Sequence, residues 1–282
     1  MTAAPGAIYR QPVSITDHAL AVDAAKAGAA VVRFHYGSSL ARFDKVGDDF
    51  ATTADLDAER AILGVLQAAR PDDVVLGEES GVTGRDVNGR RWLVDPLCGT
   101  LNYSVKNMLV SVNVALQTAE RVTAAACADP FNDEVFWTDG DAAHVRVGDV
   151  DERLVPSAGS RLVDVNLDPP FPNQDAFRAV RMLADEGFVE QFRPRVVSTT
   201  LAVAWVAAGR RAAYVTDGDL RDNVHFSAGI AICQAAGCVV TGIDGRPLFA
   251  GAGGLVVAAD QRTHAALLTL VDRQRASSGL AT

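Results

Sequence analysis

The apolar residues of this chain come in short runs separated by helical segments, which limits the folds open to it. The run at residues 109–116, among the longest, is broken well short of the roughly 20 apolar residues that a membrane helix needs. Residues 17–35 carry Ala, Leu and Val at helical spacing after Thr16 and Asp17, and residues 55–69 form a second amphipathic pattern. We therefore predict no transmembrane helix and expect short strands covered by helices.

The two halves of the chain differ in how the predicted strands and helices alternate. Residues 1–168 predict two helices beside a mostly antiparallel sheet, with strands at 74–76, 91–95, within 109–130, 134–137 and 144–147. Residues 169–282 alternate helices (174–186, 199–208, 227–236 and from 262) with strands (195–197, 212–215, 238–241 and 254–258). Closely spaced prolines at 169–172 mark the boundary, so we predict an α/β layered fold of two halves packed together.

Composition and charge exclude some classes of function. The formal net charge of −9 argues against nonspecific nucleic-acid binding, which needs clustered Lys and Arg. The cysteines Cys98, Cys127, Cys233 and Cys238 have neither the density of a disulfide framework nor zinc-finger spacing. The first residues lack the apolar core of a secretory signal, so we expect a cytoplasmic protein without membrane or nucleic-acid partners.

Acidic residues follow or begin three separate predicted elements. Asp95 ends an apolar strand in the segment WLVDPLCGTLN (92–102), Glu78 and Glu79 follow another strand, and Asp55 begins a helix. Each acid alone is typical of an ordinary turn or helix cap. Together they are oxygen ligands of the kind that Mg²⁺ prefers, whereas zinc and copper favour nitrogen or sulfur.

The order and spacing of these residues resemble the inositol monophosphatase family over nearly the whole chain. The matching motifs are Lys45…Asp49-x-x-Thr52-x-x-Asp55, Gly77-Glu78-Glu79, Asp95-Pro96-Leu97-x-Gly99-Thr100-x-Asn102, Asp129-Pro130 with Glu134-x-Phe136, residues 206–210, and Ala228-Gly229 leading to residues 234–237.

The resemblance implies an α-β-α-β-α sandwich and a magnesium-dependent phosphomonoesterase acting on a small sugar, cyclitol or polyol phosphate, usually as a homodimer. It places the first metal on Glu78, Asp95 and the Leu97 carbonyl. Asp55 and Thr100 would orient the attacking water, and the backbone amides of Gly99 and Thr100 would hold the phosphate.

The sequence departs from the family where the second metal is bound. Cys98 stands where the family has an aspartate that ligates this metal. An ungapped count places the family's Trp-Asp pair, whose Asp is the other ligand, on Asn223 and Val224. Asp222 or His225 would substitute only if the chain slips by a residue or two. We therefore expect one magnesium site and leave the second in question.

Three explanations of Cys98 stay open: a neutral filler, a ligand of a softer metal such as zinc together with His225 or Asp222, or a nucleophile at a helix start.

Candidate substrate contacts are Asp217, Thr199, His225 and Asp222. Two other functions are compatible with the changed motif, namely a different reaction on a small metabolite and metabolite binding without turnover.

Overall fold

The computed structural model describes residues 15–45, 49–119, 121–168, 177–218, 220, 223–251 and 253–277. Helices and strands follow one another along most of this length. The helices are α1 (Asp17–His35), α2 (Thr53–Ala69), α3 (Thr100–Ser104), α4 (Ala179–Met182), α5 (Glu186–Gln191), α6 (Leu201–Ala207), α7 (Ser227–Ala236) and α8 (Gln261–Ser277). In the described part of the chain, none of them combines the length and apolarity that crossing a bilayer requires.

The strands form two large sheets and a small two-stranded one. They are β1 (Arg42–Asp44), β2 (Phe50–Thr52), β3 (Val74–Gly77), β4 (Gly81–Thr83), β5 (Arg90–Cys98), β6 (Ser111–Thr118), β7 (Arg121–Asp129), β8 (Glu134–Thr138), β9 (Ala143–Val147), β10 (Val150–Arg153), β11 (Leu162–Val165), β12 (Arg193–Val196), β13 (Ala213–Thr216), β14 (Val239–Thr241) and β15 (Leu255–Ala258).

The first large sheet has the strand order β10-β9-β8-β7-β6-β5-β3-β4, and only its β3–β5 pair is parallel. Helices α1 and α2 pack side by side on one face of it. Small residues allow this close approach, because a Cβ on Gly28 of α1 would lie 2.7 Å from Ile62 Cδ1 of α2. The predicted antiparallel sheet beside two helices is therefore confirmed.

The second sheet has the order β12-β11-β13-β15-β14, and α6 and α7 lie between the two sheets. Their apolar residues share one core with the inner faces of both sheets, as shown by Phe136, Val203, Ile232 and Val257. Helix α8 covers the outer face of the second sheet. The layers therefore alternate α-β-α-β-α, as the resemblance implies.

Two parts of the second half differ from the sequence-based prediction. The helix expected over residues 174–186 partly lies outside the described residues, and the remainder forms α4 and α5 instead. Asp185 separates them, because its carboxylate accepts a hydrogen bond from the Phe188 N–H and starts a new helix. Strand β11 was not predicted and joins the second sheet ahead of the proposed boundary between residues 168 and 169. Residues 169–176 lie outside the described part, so the boundary itself stays a prediction.

Candidate active site

The acidic residues meet because two parallel strands end at the same edge of the first sheet. Gly77, the last residue of β3, is paired with Val94 in β5, so Glu78 and Asp95 follow at neighbouring positions. The Glu78 N–H donates to the Val94 carbonyl at 3.0 Å, which extends the pairing by one residue. The carboxyl ends of parallel strands are where α/β proteins bind ligands.

The N-terminus of α2 supplies a third carboxylate, that of Asp55. Thr52 caps the helix: its Oγ1 accepts from the Ala54 N–H, and its own N–H donates to Asp55 Oδ2 at 2.7 Å. Asp55 Oδ1 accepts the Thr100 hydroxyl at 2.9 Å. Burial raises the pKa of Asp55, although the hydrogen bonds from Thr52 and Thr100 oppose that shift. The result is a fully buried carboxylate, hydrogen-bonded to a hydroxyl, beside the strand ends.

Glu78 has one oxygen fixed by a cation and one oxygen without a hydrogen bond. Lys45 Nζ lies 2.9 Å from Glu78 Oε1 and 2.7 Å from Glu79 Oε1. Among the described residues, Glu78 Oε2 is buried with no hydrogen bond. Burial and the neighbouring Asp95 carboxylate raise the pKa of Glu78 to about 8. Positive charge near Oε2 comes from the His225 ring, whose Nδ1 lies 3.8 Å away, beyond hydrogen-bond distance.

Asp95 is fully buried and lies between the turn that follows it and His225. Its Oδ1 accepts from the Leu97 N–H at 3.1 Å, and its Oδ2 lies 2.8 Å from His225 Nδ1. Burial lowers the pKa of His225, but the carboxylates of Asp95 and Glu78 outweigh it and raise the pKa to about 9. Burial also opposes ionisation of Asp95, yet His225 holds its pKa below the usual value. The two side chains thus form an ion pair at the centre of the site.

The turn after Asp95 needs a glycine. Gly99 has φ +101°, and a Cβ there would lie 3.0 Å from the Leu109 carbonyl. The Asn102 side chain fixes this turn by donating to the carbonyls of Leu109 and Ser198, at 2.9 and 2.7 Å. Thr100 follows directly as the first residue of α3, which brings its hydroxyl to Asp55.

The chain is similar in sequence to proteins of one known family. The sequence profile of the Inositol monophosphatase family matches residues 15–276. The chain belongs to the inositol monophosphatase family. It is 30% identical over 225 residues to an inositol-1-monophosphatase of Caulobacter vibrioides, a match covering 78% of this chain and 86% of that protein. It is 29% identical to the Nus factor SuhB of Salmonella typhimurium over 266 residues, which cover 90% and 95% of the two chains.

Solved structures of family members have the same fold. The extragenic suppressor protein SuhB from Bartonella henselae superposes with a TM-score of 0.78 at 25% identity, covering 89% of this chain and 96% of that one. An IMPase from Thermotoga maritima superposes with a TM-score of 0.75 at 21% identity, covering 92% and 97%, which supports the fold alone. The family matches place the chain among phosphatase-type proteins whose members are generally magnesium-dependent.

The predicted metal and water-orienting residues of the family lie together in this chain. Asp55 and the Leu97 carbonyl lie 2.9 and 3.2 Å from Thr100 Oγ1, Asp95 accepts from the Leu97 N–H, and Glu78 follows the strand paired with the one that carries Asp95. The donors fit a divalent cation with oxygen ligands, because the buried Glu78 Oε2 has no hydrogen bond and the carboxylates of Asp55, Glu78, Glu79 and Asp95 outnumber the two nearby cations, Lys45 and His225. These residues therefore suit the family's ion on chemical grounds.

Cys98, which replaces the family's aspartate, and His225, one of the two candidate substitutes for the other ligand, face the same site. Their ligand atoms and a carboxylate oxygen of Asp95 all lie within 4.8 Å of one another. The Thr200 N–H donates to Cys98 Sγ at 3.4 Å. Burial and the nearby Asp95 raise the pKa of the Cys98 thiol well above its usual value. Without a cation, Cys98 is therefore a protonated thiol, which is a poor nucleophile.

The remaining substrate candidates have other contacts. Asp217 is buried at the end of β13, and its carboxylate is ion-paired with Arg178 at 3.2 Å. Thr199 is buried, and its hydroxyl accepts from the Leu201 N–H at 3.2 Å. Among the described residues, the contacts of the three site carboxylates do not reach Asp217 or Thr199. Asp222 lies outside the described residues, and the substrate roles of all these residues stay predictions.

Sequence reasoning missed two residues that position Glu78. Glu59 of α2 accepts hydrogen bonds from the backbone N–H groups of Glu79 and Ser80, at 2.9 and 2.8 Å. Lys45 is the other; it begins the first family motif, but the motif alone does not indicate that it contacts Glu78. A signal for Glu59 was present, since it lies four residues after Asp55 and therefore on the same face of the helix.

Proposed function

We propose that the chain is a magnesium-dependent phosphomonoesterase that releases phosphate from a small sugar, cyclitol or polyol phosphate. The observation that carries the proposal is the hydrogen bond from Thr100 to the buried Asp55, next to the paired carboxylates of Glu78 and Asp95. A protein that only binds a metabolite has no need of a buried carboxylate–hydroxyl pair. A cytoplasmic homodimer is part of the proposal.

Glu78, Asp95 and the Leu97 carbonyl would hold the magnesium ion. When bound, the ion supplies a more acidic water and neutralises charge on the phosphate. Lys45 contributes in a different way, because by holding Glu78 Oε1 it leaves Oε2 turned toward the remaining donors. The Leu97 N–H fixes Asp95 Oδ1 in the same way. The chain thus orients its own ligands through their second oxygens.

Asp55 and Thr100 would position and deprotonate the attacking water. Because the Thr100 hydroxyl donates to Asp55, its lone pairs remain available to accept a hydrogen bond from water. Burial raises the pKa of Asp55, which makes it a stronger base when a proton passes through Thr100. The backbone N–H groups of Gly99 and Thr100 would hold the phosphate oxygens, a role taken from the family resemblance.

The first experiment is phosphate release from sugar, inositol and other polyol monophosphates, with magnesium added to metal-stripped protein. On the preferred substrate, Glu78→Gln and Asp95→Asn should lower kcat/KM by at least ~10²-fold, since each removes a metal ligand. Asp151→Asn is the matched control, because Asp151 lies on β10, five strands and roughly 24 Å across the sheet from β5. Full activity in Glu78→Gln and Asp95→Asn would refute the proposal.

Calorimetry and substrate consumption, measured beside phosphate release, separate the proposal from its alternatives. A metabolite-binding relative would bind a phosphate compound in calorimetry without releasing phosphate under any divalent ion. An enzyme with different chemistry would consume a substrate without releasing inorganic phosphate.

A further inference from the structure

Cys98 and His225 converge on Asp95 from distant parts of the sequence. Cys98 ends β5, three residues after Asp95, and His225 lies 130 residues further along the chain from Asp95 in the turn before α7. One sulfur, one nitrogen and one oxygen atom of these side chains lie within 4.8 Å of one another. Asp95 is buried, while Cys98 and His225 are partly exposed, so the cluster is reachable from solvent.

Backbone and side-chain contacts hold Cys98 and His225 beside Asp95. The turn before α7 is fixed by the Asn223 side chain, which accepts from the His225 N–H at 2.8 Å. Ser227 donates its hydroxyl to the Asn223 carbonyl, also at 2.8 Å. On the other side, the Thr200 N–H donates to Cys98 Sγ at 3.4 Å, which holds the sulfur beside Asp95. These contacts fix the backbone of the His225 turn and the position of the Cys98 sulfur.

The donor types select the ion. Oxygen-only sets bind magnesium, whereas a thiolate and an imidazole favour zinc and related borderline ions. Four-coordinate zinc has bonds of ~2.0–2.3 Å, which put neighbouring ligand atoms roughly 3–4 Å apart. The observed separations, all within 4.8 Å, are near this range. Modest side-chain movement would therefore complete the set.

We propose that Asp95, Cys98 and His225 form a site for a thiophilic divalent ion such as Zn²⁺. Thiolate and neutral imidazole are the binding forms, so the ion displaces the proton of the Cys98 thiol and any proton on His225 Nδ1. The ion replaces the hydrogen bond between His225 and Asp95. The site goes beyond the proposed phosphatase activity, since its binding is measured without substrate.

The test is a titration of metal-stripped full-length protein with Co²⁺, which takes the place of zinc and reports its ligands by absorption. A thiolate-to-cobalt charge-transfer band in the near ultraviolet should grow to saturation at one ion per chain, and Zn²⁺ should abolish it. Cys98→Ser should remove the band. The matched control is Cys238→Ser, which changes a cysteine just before β14 in the second sheet and should leave the band intact. Absence of the band in the wild type, or its persistence in Cys98→Ser, would overturn the proposal.

A second series guards against misfolded variants. Cys98→Asp and His225→Gln should keep the circular dichroism spectrum of the wild type. Competition with a chromophoric chelator should show Zn²⁺ affinity reduced at least ~10–100-fold in each, the loss that even indirect ligand partners cause. Unchanged zinc affinity in both folded variants would also overturn the site. Loss of phosphatase activity alone would not bear on it.

Discussion

Glu59 is expected to hold the metal-binding turn in place, and Glu59→Gln tests this. Its carboxylate is 3% exposed and accepts the N–H groups of Glu79 and Ser80, one on each oxygen. The contact is so close that a Cβ on Gly77 would lie 2.6 Å from Glu59 Oε2. Glu78 lies between Gly77 and Glu79, so its carboxylate depends on this turn for its position.

The size of the effect follows from the two hydrogen bonds. Glutamine keeps one acceptor oxygen but turns an NH₂ group toward the second backbone N–H. One charge-assisted hydrogen bond becomes neutral and the other leaves a buried donor unpaired, at a cost of about 2–4 kcal/mol in the free energy of unfolding. Because Glu78 loses its support, the magnesium concentration for half-maximal activity should rise ~10–100-fold.

The assay combines urea unfolding with magnesium titration of phosphate release. Asp129→Asn is the control, because the Asp129 carboxylate is also buried and accepts backbone N–H groups: those of Phe131 and Asn132 donate to its Oδ1 at 2.9 and 3.1 Å, and the Asn132 side chain donates to its Oδ2 at 2.7 Å. Asp129 lies on β7, two strands from β5, so whatever stability this variant loses, its magnesium requirement should be unchanged. An unchanged magnesium requirement in a folded Glu59→Gln would refute the positioning role.

Three further predictions concern the site. Thr100→Val should lower kcat ~10²–10⁴-fold and cost ~1–3 kcal/mol of stability, because the buried Asp55 Oδ1 loses its donor. Thr100→Ser keeps the hydroxyl and most activity, and equal rates for the two variants would contradict the role of the hydroxyl. Gly99→Ala should lower Tm and raise KM, because φ +101° strains any side chain by ~1–3 kcal/mol and its Cβ would crowd the Leu109 carbonyl; an unchanged Tm would refute this. In metal-free protein the pKa values of Glu78 (about 8) and His225 (about 9) exceed their ordinary 4.5 and 6.5, so the folded state binds more protons. Tm should therefore fall as pH rises from 6.5 to 9, less so in His225→Gln, and a rising Tm would contradict the ion-pair geometry.

The sequence was sufficient to predict the acidic residues of the site because each lies at the end of a regular element. Asp55 begins a helix, and Glu78 and Asp95 follow apolar strands, so local periodicity locates all three. Their meeting at one edge depends on the parallel pairing of β3 with β5, which periodicity does not encode. The family resemblance supplied that information.

Local sequence patterns do not predict contacts between distant segments. Lys45 contacts Glu78 across 33 residues, and His225 reaches Asp95 across 130. The same limit applies to strand β11, whose four residues carry the buried Asp164 and become a strand only by pairing with β12 and β13. Tertiary pairing decides such segments, whatever their own propensity.

The most direct test of the central claim is magnesium titration of phosphate release by metal-stripped wild-type protein on the monophosphate panel. The account predicts release that is absent without a divalent ion, rises to saturation with magnesium, and strongly prefers one polyol phosphate. A folded protein that releases no phosphate from any member at any magnesium concentration would contradict it.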